Sequence, residues 1–303
     1  ISAGGSITEE EYQSMKQMGE YAKRLRESLQ SADTDFSGGQ PGDFKETEDN
    51  FTDYPTLIYD GPFSDHIAQK QPAFLEGKEE IRQGNAQNNA AQFLGVSQSE
   101  LQHDGDTEGT LATYNFSGGT KRITISRLGG YPVALIASRS VGTAVLSYED
   151  AAAPAVGFFE SHGITGMRES YYVINDNICT LNYAYEENGV TYYPDLIKVS
   201  VALDDGSILE YNATGFLMNH RQREAPQPAL TMEEARQRVR PHLTAGEGRL
   251  AVIPTAGLNE VLTYEFLCQG ENGDQVLVYI NADTGYEEQI LILLSSDNGI
   301  LTR

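Results

Sequence analysis

The sequence predicts an α+β fold built as three tandem modules, each a helix packed on an antiparallel sheet, after an amino-terminal helix. Internal repetition is the first observation behind this reading. Leu146-Ser147-Tyr148-Glu149-Asp150-Ala151 recurs as Leu230-Thr231-Met232-Glu233-Glu234-Ala235. The second observation is that the later strands and turns keep register. Tyr185 corresponds to Tyr264 and Gly206 to Gly285 at one offset of 79 residues. The third is the order of elements, in which a helix is followed by consecutive hairpins, the pattern that lays a helix on one face of an antiparallel sheet.

Residues 1–50 read as a helix and a linker. Tyr12, Met15, Met18, Ala22, Leu25 and Leu29 recur at steps of three and four, which predicts a helix over Thr8 to Gln30. Thr8 and Glu11 form its capping box, and the narrow apolar stripe requires a partner. Ser31 to Asn50 carries Gly, Asp, Ser and Pro without periodicity and reads as linker.

The first module, 51–146, is the least regular copy. Its helix is expected from Gly77-Lys78-Glu79-Glu80 through Phe93-Leu94, and its strands at Thr110 to Phe116, Lys121 to Arg127 and Val133 to Ala137. Ser117-Gly118-Gly119 and Gly129-Gly130 supply its turns. In the second module, 147–227, strands at Leu181 to Tyr185, Leu196 to Leu203 and Ile208 to Asn212 flank turns at Asn188-Gly189 and Asp204-Asp205-Gly206. The third module, 228–303, opens with a helix capped by Thr231, in which Ala235, Val239 and Leu243 face inward and Pro241 brings an early end. Strands at Arg249 to Ile253, Val261 to Leu267, Val276 to Asn281 and Glu288 to Leu294 follow, with Asp283-Thr284-Gly285 as a hairpin turn.

Composition excludes several classes of function. Lys and Arg number 21 against 44 Asp and Glu, a net charge of -23, so phosphate backbones and anionic headgroups are repelled. Nucleic acid and direct lipid binding are therefore not expected. Cys179 and Cys268 lie in apolar strand-like stretches and read as buried free thiols. No apolar run has membrane-helix length, so membrane attachment is expected only through an amino-terminal anchor that this chain lacks.

The candidate chemistry is sparse. Histidines at 66, 103, 162, 220 and 242 stand at no zinc-ligand spacing, and no metal site or cofactor is expected. Ser138-Arg139-Ser140-Val141-Gly142 lacks the leading Gly of a nucleophile elbow and reads as a loop. Asp104-Gly105-Asp106-Thr107-Glu108-Gly109 matches the first half of a calcium loop. Asn115 stands where its bidentate Glu belongs, so a polar turn is the better reading, with calcium left open. Tyr171-Tyr172 and Tyr192-Tyr193 could form a sugar-stacking surface or be ordinary sheet residues.

Tyr54-Pro55-Thr56-Leu57-Ile58-Tyr59-Asp60-Gly61-Pro62-Phe63-Ser64-Asp65-His66-Ile67 is too specific for a linker. An apolar strand, an Asp-Gly-Pro turn and an aromatic beside Asp65 and His66 suit either a lock onto the first sheet or a partner-docking loop. This segment resembles the entry to the carboxy-terminal region of the YpeB family of germination proteins from spore-forming bacteria, and the modules resemble that family's PepSY repeats. The resemblance covers about residues 50–303. It implies a non-enzymatic spore protein on the outer side of the inner membrane, facing the cortex. The implied partner is a cortex-lytic lytic transglycosylase, which the protein binds, stabilises and restrains until the cortex peptidoglycan is hydrolysed at germination. Tyr59, Asp60, Phe63, Asp65 and His66 are the expected partner-binding residues. A peptidoglycan-binding module that places the hydrolase on the cortex is the alternative.

Overall fold

A computed structural model describes residues 71–255, 259–270, 273–296 and 299–302. The helix expected over Thr8 to Gln30, the linker after it and the Tyr54 to Ile67 segment lie outside the described residues. All described residues belong to one compact unit, Ile58–Arg303. The fold is α+β with a large, mostly antiparallel sheet and few helices.

After a 3-10 turn at Ala73–Leu75 comes helix α1, Gln83–Leu94. Strands β1 (Gln102–Thr107), β2 (Thr113–Gly118), β3 (Lys121–Ser126) and β4 (Pro132–Ala137) follow. Helix α2 (Tyr148–Ser161) precedes β5 (Met167–Asn175), β6 (Ile178–Glu187), β7 (Val190–Ala202) and β8 (Ile208–Asn212). The short helices α3 (Thr214–Asn219) and α4 (Met232–Arg236) lead to β9 (Leu243–Pro254), β10 (Glu260–Gly270), β11 (Gln275–Asn281), β12 (Glu287–Ser296) and β13 (Gly299–Thr302).

Helices α2 and α4 begin with the capping boxes that the repeat predicts. Ser147 Oγ accepts from the Asp150 amide at 3.2 Å, and Thr231 Oγ from the Glu234 amide at 3.3 Å. The carboxylates reach back to the Ser147 and Thr231 amides at 3.2 and 2.8 Å, satisfying donors that a helix start leaves orphaned. Helix α4 ends at Arg236, well before Pro241.

One backbone arrangement occurs three times. The amides of Ile81, Leu146 and Leu230, each one residue before a helix N-cap, donate to the carbonyls of Arg127, Leu203 and Ala282 at 2.8, 2.9 and 2.9 Å. Those carbonyls sit at turns that contain Gly130, Gly206 and Gly285, whose φ angles are 72, 76 and 73°. A Cβ there would be strained, and at Gly130 it would also lie 2.6 Å from Ile81 Cδ1. The contact in the first copy explains a correction. Residues 77–82, expected to open the helix, are held off it by the Ile81 bond and by a bridge from Glu80 to Leu128, so α1 starts only at Gln83.

Each of the three helices covers an apolar cluster. Ala86, Ala90 and Ala91 pack on Phe116, Ile123 and Ile125. Ala151, Ala155 and Phe159 pack on Cys179, Leu181, Val199 and Val201. Ala235 of α4 and Val239, beyond its end, pack on Phe266, Val278 and Ile280. Burying each large apolar side chain contributes roughly 1.5–3 kcal/mol, and the small alanines allow the helices a close approach.

The strands do not form separate sheets. They run in the single order β1-β2-β3-β4-β8-β7-β6-β5-β13-β12-β11-β10-β9. Strand β7 has two neighbours along one side. Its later half pairs antiparallel with β8, and its first residues, Val190, Thr191 and Tyr192, pair parallel with Leu250, Ala251 and Val252 of β9. The change falls at Pro194 and Asp195, in the gap where the β6 register shifts between Ala184 and Tyr185. A proline cannot donate to a ladder, which suits it to this interruption. Strands β1, β5 and β13 were not expected. The calcium-loop-like Asp104 to Thr107 is part of β1, which pairs with β2 through a register shift between His103 and Gly105.

Candidate partner-binding surfaces

Tyr59, Asp60, Phe63, Asp65 and His66 lie outside the described residues. The described residues begin at Gln71, and Leu75 lines a cleft of about 250 Å³. Its floor is apolar, from Leu75, Leu111, Ala112 and Leu128, and its polar wall is Arg127 between Glu80 and Glu108. Arg127 Nε donates to Glu80 at 2.8 Å and Nη1 to Glu108 at 2.7 Å. The hydrogen bond to Glu80, with the nearby Glu108 charge, holds the Arg127 pKa above its ordinary value against burial. The cationic group lining the cleft, Arg127, is neutralised by Glu80 and Glu108.

A second charged cluster sits where β7 changes neighbours. Asp195 is fully buried, and Arg223 Nη1 and Nη2 donate to its two oxygens at 2.7 and 2.8 Å. Arg223 Nη2 also reaches Glu260 on β10 at 2.9 Å, and the guanidinium lies 4.6 Å from the Tyr192 ring centroid. His220 Nδ1 is 2.8 Å from Asp195, and its ring stacks on Phe216. Burial opposes the Arg223 charge, but the hydrogen bonds to Asp195 and Glu260 outweigh it and leave the guanidinium more basic than usual. Sequence reading missed this cluster. Its signal was Pro194-Asp195 inside an apolar strand, and two arginines, Arg221 and Arg223, in the Pro-containing segment before α4.

A third network lies nearby. Tyr193 donates to Glu265 at 2.5 Å, and Arg249 Nε donates to the same carboxylate at 2.7 Å. The tyrosines that could have stacked on sugar are mostly committed elsewhere. Tyr192 is 2 % exposed beneath Arg223, Tyr193 packs with Ala251, Ile253 and Tyr279, and Tyr172 stacks on Tyr148 at 3.5 Å.

The remaining motifs have structural partners. Arg139 of the elbow-like loop donates to Asp204 at 2.7 and 2.9 Å, tying the end of β4 to the β7–β8 turn. Its hydrogen bond, with that of the Gly142 amide, holds the Asp204 carboxyl well below the usual carboxylate range. Asp104, Asp106 and Glu108 point to separate partners, Ser117, His103 and Arg127. His162 sits between the rings of Phe93 and Phe158, with its nitrogens 2.9 and 2.7 Å from their carbonyl oxygens. Among the described residues, no three His, Cys, Asp or Glu side chains converge as a metal site would require. No helix among them is long and apolar enough to cross a membrane.

Fold and surfaces together define an α+β protein with a large, mostly antiparallel sheet and few helices, in which the polar clusters fasten elements to one another. A family model described as YpeB sporulation, PepSY1 and PepSY2 domains matches residues 40–226, and the chain belongs to that family. It is 36% identical over 169 residues to sporulation protein YpeB of Halalkalibacterium halodurans, and 37% identical over 168 residues to that of Bacillus subtilis strain 168. Each alignment takes in 55% of this chain and 37% of the relative, so the chain spans little more than a third of the curated relatives it matches. The solved Bacillus megaterium YpeB C-terminal domain aligns with a TM-score of 0.63 and 28% identity, over 72% of this chain and 100% of that one.

Proposed function

We propose that this chain is the non-enzymatic, protein-binding part of a YpeB-type sporulation protein, which holds and restrains a cortex-lytic lytic transglycosylase until germination. The family match over residues 40–226, to relatives named as sporulation proteins, carries this reading. The thrice-repeated hydrogen bond from the pre-helix residue to the hairpin turn supports three PepSY-like modules, with bounds near 51–146, 147–227 and 228–303. On this reading the protein works in the spore, on the cortex-facing side of the inner membrane, and the Tyr59 to His66 segment docks the enzyme. A partner-binding role needs a rigid scaffold and roughly 800 Å² of surface per partner.

Titration calorimetry of this chain against purified cortex-lytic transglycosylase, with cortex cleavage assayed in the same mixtures, tests the proposal. Binding with reduced cleavage is the expected result. Cleavage of cortex by the chain alone, or binding to cortex fragments without any binding to the enzyme, would overturn it.

A further inference from the structure

Asn182, at the centre of β6, is fully buried on the sheet face turned away from α2. Its register neighbours are Tyr171 on β5 and Lys198 on β7. The next row on that face is polar and paired within itself. Thr180 and Ser200 hydroxyls are 2.9 Å apart, and Ser200 donates to Glu210 at 3.2 Å. The Asn182 row differs. Neither the amide nitrogen nor the oxygen of its side chain has a protein partner, and neither has the Tyr171 hydroxyl. Burial pushes the Tyr171 pKa above its ordinary value, and depresses that of Lys198 against the pull of Glu210.

Rotating the Asn182 carboxamide by half a turn exchanges its nitrogen and oxygen and cures nothing, because both atoms lack partners. The carboxamide of Asn182 and the hydroxyl of its register partner Tyr171 are therefore all buried without a protein partner. Buried polar groups in native proteins are hydrogen-bonded, and where protein atoms do not supply the bonds ordered water does. An apolar occupant would leave these groups as costly as emptiness does. We infer that the β5–β6–β7 face holds a buried water site at Asn182 and Tyr171, in which ordered water bridges the carboxamide to the hydroxyl.

A crystal structure of this chain, at a resolution that shows ordered solvent, tests the site. Density for water within hydrogen-bond distance of Asn182 and the Tyr171 hydroxyl is the expected result. An empty site, protein atoms closing on the carboxamide, or density larger than water would each overturn it. In solution, oxygen-17 relaxation dispersion should show fewer long-lived waters in Asn182→Leu than in the parent, and the same loss should accompany Tyr171→Phe, the milder change. Unaltered dispersion in the folded Tyr171→Phe protein would refute the bridge.

Discussion

Asp195 and Arg223 show how much one buried charge depends on its partner. Replacing Arg223 with Ala leaves the fully buried Asp195 with His220 as its remaining side-chain partner and takes one of two arginines from Glu260, which keeps Arg221, and should destabilise the protein by about 3–5 kcal/mol in urea unfolding. The double variant Asp195→Leu with Arg223→Met should recover much of that loss, because the penalty belongs to the unpaired charge. Asp204 tests the pH dependence. Its folded-state pKa is depressed by the Arg139 and Gly142 hydrogen bonds. The stability it contributes is therefore present above the ordinary carboxylate pKa of about 3.9, and is lost as pH falls toward the folded value. The urea midpoint should drop on acidification below about pH 4, and drop less in Asp204→Asn. Cys179, whose pKa burial pushes up to about 12, should react with a thiol reagent at neutral pH only after unfolding. That both thiols are buried and free was legible from their apolar neighbours. The ion cluster was not, because Asp195, Arg223 and Glu260 are distant in sequence and share no motif.

Among the elements, the capping boxes of α2 and α4 are local signals that the structure bears out. The capping residues Ser147 and Thr231 sit where the repeat puts them, since a cap is decided within four residues. Thr231→Ala should cost about 1 kcal/mol and fray α4 first, measurable as a lowered urea midpoint with faster amide exchange over Met232–Arg236. Gly130→Ala should cost more than Gly206→Ala. Both carry positive φ, but only at Gly130 does the new methyl meet Ile81 and Asn89 at 2.6 and 2.5 Å. Strands β1 and β5 escaped notice for a physical reason. Polar β1, Gln-His-Asp-Gly-Asp-Thr, has no alternation, and its strand state comes from pairing with β2. The sequence predicts a strand only from Leu196 to Leu203, whereas β7 begins at Val190, because its first residues pair with β9 and its later half with β8.

At the scale of the molecule, β7 couples what repetition alone would leave as beads. The parallel pairing to β9, the Tyr193–Glu265 bond and the Arg223 bridge to Glu260 all join the second and third groups of elements. Unfolding in urea should therefore be one transition, with circular dichroism and tyrosine fluorescence coincident, and Arg223→Ala should be the variant that splits it. Two separated transitions in the parent chain would show that the junction does not couple them. The sequence by itself determined the α+β class, the caps of α2 and α4, the glycine turns and the family. All of these follow from contacts a few residues apart or from residue order. Only the tertiary structure decided that the strands share one sheet, where β7 changes partners, and which charges are buried together. Those outcomes depend on pairing between segments far apart in the chain, whose free energy is set by the neighbour each edge meets in space.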